Sequence, residues 1–230
     1  MLLVEGPHVA LDAVDAGAVV HEALYTEEAA DDPAVASLLE RLRTAGAEVE
    51  RVEAPVLAEF ADTVTPQGIL LTVETPRVGL DDVAAPRLVV TDAVQDPGNL
   101  GTLIRAAEAL GAAGVAQLPG TVDAWNPKVV RAAAGSSFRL PVFETSIDAI
   151  VEWCRERRVP LLAAAAGGAP APRTGGPRDA VLVLGNEGAG VSEQVLAVAD
   201  GVVGVPQRGR VDSLNVALAG AILMDRFFGG

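Results

Sequence analysis

Five short, predominantly apolar runs in the second part of the chain constrain its fold more than any other feature. A helical pattern separates each run from the next. Strands without polar alternation are buried on both faces, which is typical of a parallel sheet covered by helices. The runs therefore predict an α/β domain with a mostly parallel sheet. They occupy residues 87–90, 115–118, 161–165, 181–184 and 202–205.

The first 75 residues alternate strand and helix patterns on a smaller scale. Residues 33–45 are amphipathic and end at Gly46, which predicts a helix. Pro55 predicts a second, short helix that ends near Asp62, because proline fits the first helical turn. We therefore expect a small α/β domain. Its strands are predicted at residues 19–25, 48–52 and 68–73.

A change of composition separates the two parts. Residues 76–86 contain two prolines, a glycine and paired aspartates, which is typical of a linker. We therefore predict a first domain at residues 1–75, a linker at 76–86 and a second domain at 87–230. Residues 163–176 are rich in alanine, glycine and proline, and they predict a strand end that continues into a mobile loop.

The composition indicates a globular protein. Half of the 230 residues are hydrophobic, which is too many for a disordered chain. No apolar run reaches the roughly 18 residues that a membrane helix needs, and the sequence lacks the pattern of a secretory signal. Cys154 is the only cysteine, so no disulfide can form within the chain. We expect a cytoplasmic protein that does not associate with membranes.

The charge is acidic and unevenly distributed. The net charge is −14. Residues 1–78 contain 15 acidic and 4 basic side chains, a balance of −11, whereas residues 79–230 contain 16 acidic and 13 basic ones, a balance of −3. Proteins that bind nucleic acids are usually basic, because phosphate contacts supply much of their affinity. Any such contact is expected from the second part of the chain.

The first of three candidate functional segments is a turn and the helix that follows it. The turn is Asp-Pro-Gly-Asn at residues 96–99, and the helix is apolar on one face. Arg105 lies off that face and points away from the core. A lone arginine in such a position is commonly solvated beside an acidic neighbour, here Glu108. By itself, this segment leaves a structural and a functional interpretation open.

The second segment is the turn Gly-Asn-Glu-Gly at residues 185–188, directly after a buried strand. Glycines let a ligand approach the backbone at the carboxyl end of a strand, where open α/β sheets bind ligands. The segment lacks the lysine of a phosphate-binding loop and the glycine spacing of the dinucleotide fingerprint. A tight turn explains the glycines nearly as well, but it does not explain the polar pair Asn186 and Glu187.

The third segment follows a strand that stops at Pro206. A polar loop leads to Ser213, which we expect to cap the last helix, since serine is a favoured N-cap residue. Ser213 and Asn215 need no function for that structural role. The helix itself, residues 214–228, is apolar on most sides. Because such a helix must be buried, we expect the chain to form a homodimer through its second domain.

Together and in this order, the three segments resemble the signature motifs of the SpoU-type (TrmH-like) RNA ribose methyltransferases of the SPOUT superfamily. The resemblance spans residues 87–228. It rests on Asp-Pro-Gly-Asn-Leu-Gly at 96–101 with Arg105, Leu-Gly-Asn-Glu-Gly at 184–188, and Val205-Pro206 with Ser-Leu-Asn-Val at 213–216. The first 75 residues, with Val-Glu-Gly at 4–6, resemble the small ribosomal-protein-like domain that precedes the catalytic domain in many members.

The resemblance implies a fold, a reaction and partners. Members fold as an α/β sheet whose C-terminal segment threads through a loop and forms a deep trefoil knot, an exception to the rule that chains are unknotted. They are homodimers in which each active site borrows from the partner. They transfer a methyl group from S-adenosylmethionine to a ribose 2′-hydroxyl of RNA, and no metal is implied.

The resemblance also implies roles for single residues. Arg105 acts at the hydroxyl group, as its base or as an electrostatic stabiliser. We favour the stabiliser, because arginine rarely loses its proton. Glu187 is expected to orient Arg105, and Gly185 is expected to face the cofactor and accept no side chain. The implied catalytic set is Arg105, Asn99, Glu187, Ser213 and Asn215, and the implied cofactor-binding set is Leu184, Gly185, Gly188, Val205, Pro206 and Leu214.

The substrate RNA stays open at this level. The first domain favours ribosomal RNA, because it resembles that of ribosomal-RNA enzymes, and transfer RNA is the alternative. A non-catalytic RNA-binding relic of the fold is a further alternative, although a relic would be free to lose the polar residues of the motifs. Phosphate contacts are expected from cationic side chains of the second domain: Arg105, Lys128, Arg131, Arg139, Arg208 and Arg210.

Overall fold

The computed structural model describes residues 1–61, 63–172, 178–207 and 213–229. Within these residues ten strands form two sheets, one of four strands and one of six. The same residues contain no helix long and apolar enough to cross a bilayer, and no group of three or more His, Cys, Asp or Glu side chains suited to a metal ion.

The four-stranded sheet lies within residues 2–73. Its strands are β1 (Leu2–Glu5), β2 (Val20–Tyr25), β3 (Glu48–Arg51) and β4 (Ile69–Val73), in the order β1-β4-β2-β3. β3 is parallel to β2, whereas β4 is antiparallel to both of its neighbours. The accompanying helices are α1 (Pro7–Asp15), α2 (Glu27–Ala30), α3 (Pro33–Thr44) and α4 (Ala54–Phe60).

The predicted elements of this part are present, and three further ones were not expected. β1 contains an apolar run of only three residues, and α2 has four residues, about one helical turn, so neither shows a period in the sequence. α1 follows β1 after a single residue, Gly6, whose φ of 94° makes the abrupt change of direction possible. The sequence therefore has no polar segment between β1 and α1 that would have indicated a boundary between two elements.

The six-stranded sheet is entirely parallel, which confirms the predicted fold class. Its strands are β5 (Arg87–Asp92), β6 (Gly114–Gln117), β7 (Val142–Glu144), β8 (Leu161–Pro170), β9 (Ala180–Gly185) and β10 (Gly201–Gly204), in the order β10-β8-β9-β5-β6-β7. β7 was not predicted, because it has only three residues. The prediction of a loop after residue 165 was wrong, since β8 continues to Pro170 and pairs there with β10 across an irregularity in register.

Helices cover both faces of this sheet. They are α5 (Pro97–Ala109), α6 (Pro127–Ala133), α7 (Ser136–Arg139), α8 (Ile147–Arg157), α9 (Glu193–Val198) and α10 (Val216–Phe227). Along β9, Leu182 and Leu184 pack with α5 and α10, whereas Val181 and Val183 pack with α8 and α9. This alternation, with every side chain buried, explains why the strand is apolar throughout.

The order of the strands brings the carboxyl ends of β5 and β9 together. β5 and β9 are paired in register, Thr91 with Leu184 and Asp92 with Gly185. After β5, the strands β6 and β7 are added on one side of it, towards one edge of the sheet. The strands β8 and β10 are added on the opposite side, beyond β9. Such a reversal creates a crevice for ligands at the carboxyl ends. The knot stays a prediction, because residues 208–212 of the segment after β10 lie outside the described residues.

Substitution of Gly101 tests the close packing of α5 on α6. A Cβ atom at Gly101 would lie 2.6 Å from the carbonyl oxygen of Val129 and 3.0 Å from the nitrogen of Ala133. In an open helix, Gly→Ala raises the free energy of unfolding by about 1 kcal/mol. Here we expect Gly101→Ala to lower it by roughly 2 kcal/mol, because the two helices must separate.

Urea unfolding measures this change. Gly79→Ala is the control, because nothing lies within 4 Å of a Cβ atom at that position, and it should leave the unfolding midpoint nearly unchanged. A gain in stability for Gly101→Ala would contradict the close packing.

Candidate functional site

A cavity of about 510 Å³ lies at the carboxyl ends of β9 and β10, beside the middle of β8 and the start of α10. Its walls are apolar where the strands end, with Ala164, Val203 and Leu223, and polar where the loops begin. Eight of the eleven residues predicted from the sequence line it: Leu184, Gly185, Glu187, Gly188, Val205, Ser213, Leu214 and Asn215.

The three other predicted residues lie outside the lining. Asn99 is hydrogen-bonded to two residues that line the cavity, Glu187 and Asn215. Pro206 is exposed and adjoins the lining residue Val205. Arg105 is exposed on α5, and within the described residues its guanidinium has no hydrogen-bond or ion-pair partner. The contact expected between Glu187 and Arg105 is therefore not seen in this part of the chain.

Asn186 shapes the turn after β9, a role that the sequence did not reveal. Its Oδ1 accepts hydrogen bonds from the backbone N–H groups of Gly188 and Ala189, both at 2.9 Å. Its Nδ2 donates to the carbonyl oxygen of Ala93 at 2.9 Å. Asn186 therefore closes its own turn and ties it to the segment after β5. The polar Asn-Glu pair was the only sequence signal for this role.

Asp92, at the end of β5, makes a second hydrogen bond between the segment after β5 and the segment after β9. Its buried carboxylate accepts a hydrogen bond of 2.7 Å from the backbone N–H of Ser192. Ala93 follows with a φ of 56°, in the left-handed region that is unusual for alanine. The hydrogen bonds at the Asp92 side chain and at the Ala93 carbonyl oxygen hold the backbone before and after the Ala93 Cα atom.

The structure gives a different reason for the glycine at position 185. The sequence suggested that Gly185 faces the cofactor. In the structure, a Cβ atom at this position would collide with the backbone of Gly190 and Val191, because Asn186 and Gly190 form a two-way backbone bridge at 2.9 Å. Any side chain at Gly185 would thus open the turn itself rather than fill the cavity.

A chain of side-chain hydrogen bonds connects the three signature segments. Asn215 Nδ2 donates to Asn99 Oδ1 at 2.9 Å, and Asn99 Nδ2 donates to Glu187 Oε1 at 3.0 Å. The carboxylate of Glu187 also accepts from the backbone N–H groups of Gln95 and Asp96, at 3.4 and 3.3 Å. Residues from positions 99, 187 and 215 are thereby held in one unit at the mouth of the cavity.

The start of α10 determines which groups donate and which accept in this series of hydrogen bonds. Asn215 Oδ1 accepts from the N–H groups of Ala217 and Leu218 and so caps α10. The amide group of Asn215 must therefore point its Nδ2 outwards as a donor, which fixes the orientation of the Asn99 amide as well. The last member of the series must accept a hydrogen bond, and the ionised carboxylate of Glu187 does so. The predicted cap, Ser213, was wrong, because Asn215 caps the helix.

Hydrogen bonding keeps Glu187 ionised. Burial by itself would raise the pKa of this carboxyl, but the hydrogen bonds from Asn99 and from the backbone of Gln95 and Asp96 outweigh it and lower the pKa below its usual value. A group whose pKa is lowered on folding stabilises the fold above its unfolded-state pKa, and this contribution is lost as the pH falls through the folded-state pKa. The unit is therefore intact at neutral pH.

The cationic side chains are distributed differently from the prediction. Arg139 forms ion pairs with Glu108 and Asp12, and Arg131 lies beside the carboxylate of Glu5. These two guanidinium groups are already engaged by carboxylates, which weighs against their predicted role in phosphate contact. Arg105 and Lys128 are exposed, and Arg208 and Arg210 lie outside the described residues.

Two family models match the chain. The SpoU rRNA Methylase family matches residues 86–225. The model described as RNA 2′-O ribose methyltransferase substrate binding matches residues 3–78. The first match contains the six-stranded sheet and the cavity, and the second contains the four-stranded sheet except for Leu2.

Relatives and a solved structure agree with these matches. The chain is 35% identical over 223 residues to a 23S rRNA (guanosine(2553)-2′-O)-methyltransferase of Bacillus subtilis, covering 96% of this chain and 86% of the relative. It is 31% identical over 203 residues to a 23S rRNA (uridine(2479)-2′-O)-methyltransferase of Streptomyces viridochromogenes, covering 80% and 68%. The SpoU methyltransferase AviRb of that organism, crystallised with AdoMet, superimposes with a TM-score of 0.86 at 28% identity, covering 98% and 88%.

Substitution of Asn99 tests the polarity of the hydrogen-bonded chain. Asn99→Asp would place a carboxylate against Glu187 and remove the donor that Glu187 uses. A carboxylate in the first turn of a helix is otherwise favourable. We nevertheless expect Asn99→Asp to have a lower unfolding temperature at pH 7 than Asn99→Ala, because of repulsion between like charges.

Thermal unfolding at pH 7 and pH 4 measures the effect. Near pH 4 one of the two carboxyl groups takes up a proton and becomes a donor, so the order of the two variants should reverse. An Asn99→Asp variant that is as stable as the unsubstituted chain at pH 7 would show that Glu187 does not depend on this donor.

Proposed function

The chain belongs to the SpoU rRNA methylase family, and we propose that it transfers a methyl group from S-adenosylmethionine to a ribose 2′-hydroxyl of ribosomal RNA. The observation that carries this proposal is the hydrogen-bonded unit of Asn99, Glu187 and Asn215, which unites the three signature segments at one cavity. A relic without activity would have no need to keep these three side chains in one oriented chain.

The cavity fits S-adenosylmethionine. Its volume of about 510 Å³ lies within the range of roughly 300–1,000 Å³ that is usual for small-molecule sites. The apolar wall around Leu184, Val205 and Leu223 suits a flat aromatic base, and the polar mouth suits the charged part of the molecule. We propose that Gly185, Gly188, Pro206 and Leu214 also contribute to this binding site.

The chemistry that the cofactor supplies is a methyl group activated on a positively charged sulfur. The chain must then orient a weakly acidic hydroxyl group and stabilise the negative charge that develops on its oxygen. We assign that task to Arg105, whose guanidinium stays protonated and can also contact the neighbouring phosphate. Asn99, Glu187, Ser213 and Asn215 form the polar surface on which the ribose is oriented.

The position of Arg105 supports a dimeric active site. Arg105 lies outside the cavity lining of its own chain and is exposed on α5. α10 also exposes two large apolar side chains one turn apart, Leu218 at 60% and Ile222 at 36%. We propose that two copies associate through this face of α10 and that each site is completed by the partner copy.

Ribosomal RNA is the substrate that the relatives support. The relatives from Bacillus subtilis and Streptomyces viridochromogenes are both named for methylation of 23S rRNA, one at a guanosine and one at a uridine. The ribose and not the base is therefore the feature that their substrates share. We propose that the first domain, residues 1–75, takes part in substrate binding, that residues 76–86 link it to the catalytic domain at 87–230, and that the protein acts in the cytoplasm.

Arg105→Ala tests the proposed function. We expect methyl transfer to an unmethylated 23S rRNA transcript to fall by about 100-fold or more, the usual effect of removing one charge-stabilising group. The affinity for S-adenosylmethionine, measured by titration calorimetry, should stay within a few-fold. Radiolabelled methyl transfer measures the activity, and turnover close to that of the unsubstituted chain would show that Arg105 does not act at the hydroxyl group.

Leu218→Glu combined with Ile222→Glu tests the dimer. Light scattering of the unsubstituted chain at micromolar concentration should give the mass of two chains, and the double variant should give the mass of one, because buried charges oppose association. Val64→Glu is the control, since Val64 is fully exposed outside the proposed interface. A single-chain mass for the unsubstituted protein would contradict the proposal.

A further inference from the structure

The part of the chain with the four-stranded sheet is packed directly on α6 and α7. Val130 of α6 is 2% exposed and belongs to the apolar cluster that includes Val4, Val9 and Leu38 of the first part. Trp125 and Phe138 pack against the same cluster, with their ring centroids 5.8 Å apart. The two parts therefore share an apolar contact and are connected by more than the linker.

One arginine connects this contact to the helix that carries Arg105. Arg139 donates from Nε to Glu108 Oε1 at 2.6 Å and from Nη2 to Glu108 Oε2 at 3.0 Å. Its Nη1 donates to Asp12 Oδ1 at 2.8 Å. Asp12 belongs to α1, and Glu108 lies on α5 three residues after Arg105. A single planar guanidinium thus bridges the two parts of the chain.

The geometry of these contacts distinguishes them from ordinary surface ion pairs. Isolated pairs on a surface contribute little to stability, but a bidentate pair between arginine and a carboxylate has a fixed orientation. The side chains of Arg139, Asp12 and Glu108 are exposed by 38%, 37% and 30%. Hydrogen bonding to Arg139 lowers the pKa of Glu108, so Glu108 is charged at neutral pH.

The backbone beside Arg139 also contacts Asp12. Ala134 and Gly135, which join α6 to α7, have φ values of 48° and 80°. A Cβ atom at Gly135 would collide with the carboxylate of Asp12. The turn between α6 and α7 therefore fits against Asp12 only with glycine at this position. Shape and charge independently hold α1 in this place.

We propose that Arg139 is a positioning residue that fixes the first domain relative to α5, so that RNA in contact with both domains reaches Arg105 in one orientation. This inference rests on the proposed function. In it, Arg139 contacts neither RNA nor cofactor and acts through Asp12 and Glu108. Its loss should weaken productive RNA binding and should leave the cofactor site intact.

Two measurements on the full-length chain test the proposal. The first is the distance distribution between spin labels at Ser37→Cys on α3 and Glu152→Cys on α8, both exposed positions. Native Cys154 will not compete for label, because it is buried and burial raises the pKa of its thiol to about 11. The second is the KM and kcat of methyl transfer to a 23S rRNA transcript.

We expect Arg139→Gln to broaden the distance distribution and to raise the KM for RNA about five- to ten-fold, the effect of losing roughly 1 kcal/mol. The kcat and the affinity for S-adenosylmethionine should stay within two-fold. Arg139→Lys keeps the charge but not the bidentate geometry, so it should recover part of the loss. Asp12→Asn is a milder variant should Arg139→Gln fail to fold. Gly135→Ala should have the same effects without a change of charge, through the collision with Asp12 and the strain of a side chain at a φ of 80°.

Arg41→Gln is the matched control. Arg41 forms an ion pair of 2.7 Å with Asp15 within the first part of the chain, and its side chain is 45% exposed, close to the 38% of Arg139. The substitution removes the same charge. It should change neither the distances nor the KM. Equal KM increases for Arg41→Gln and Arg139→Gln would mean that net charge alone matters, and would overturn the proposal.

The outcomes separate this inference from the proposed function. If the unsubstituted chain methylates no RNA, the proposed function fails. The role of Arg139 is then still tested by the distance distributions and by the RNA affinity measured by filter binding. If Arg139→Gln leaves both the distances and the RNA binding unchanged, the inference fails and the proposed function stands.

Discussion

The parallel pairing of β5 with β9 is the interaction on which the rest of the site depends. Both strands are buried on both faces, so their register is fixed by packing as well as by hydrogen bonds. The pairing of Asp92 with Gly185 ends both strands at the same level and places the two signature turns side by side. Asp92 and Asn186 then tie each turn to the other. A shift in this register would separate Glu187 and Asn186 from their partners after β5, and Asp92 from Ser192.

The hydrogen-bonded unit at the cavity gains its direction from a structural requirement. A helix needs acceptors for its first N–H groups, and Asn215 supplies one to α10. Asn99 must therefore direct its amide donor at Glu187, and this bond, with the backbone donors, lowers the pKa of Glu187 and favours its ionised form. Networks of this kind stabilise a single arrangement when every member is satisfied and cost much when one is not. The cap of α10 and the charge of Glu187 are thus parts of one arrangement.

Two of the acidic side chains in the first 78 residues form ion pairs at the contact between the two parts of the chain. Asp12 and Glu5 each engage an arginine from the α6–α7 region, so part of that negative charge is used to hold the two parts together. The same contacts offset the positive charge of Arg131 and Arg139 with carboxylates. The sequence could not predict these contacts, because Asp12 and Arg139 are 127 positions apart, and no local pattern connects them.

The sequence by itself determined the fold class and eight of the ten strands in the described residues, because apolar runs are local properties of a chain. Its motifs carried the family resemblance that implied eight of the residues that line the cavity. It missed β1 and β7, whose apolar runs have no more than three residues. Only the tertiary structure decided that Gly185 serves its own turn, that Asn215 and not Ser213 caps α10, and that Glu187 partners Asn99. These outcomes depend on which side chains meet at the ends of neighbouring strands, and packing in three dimensions settles that.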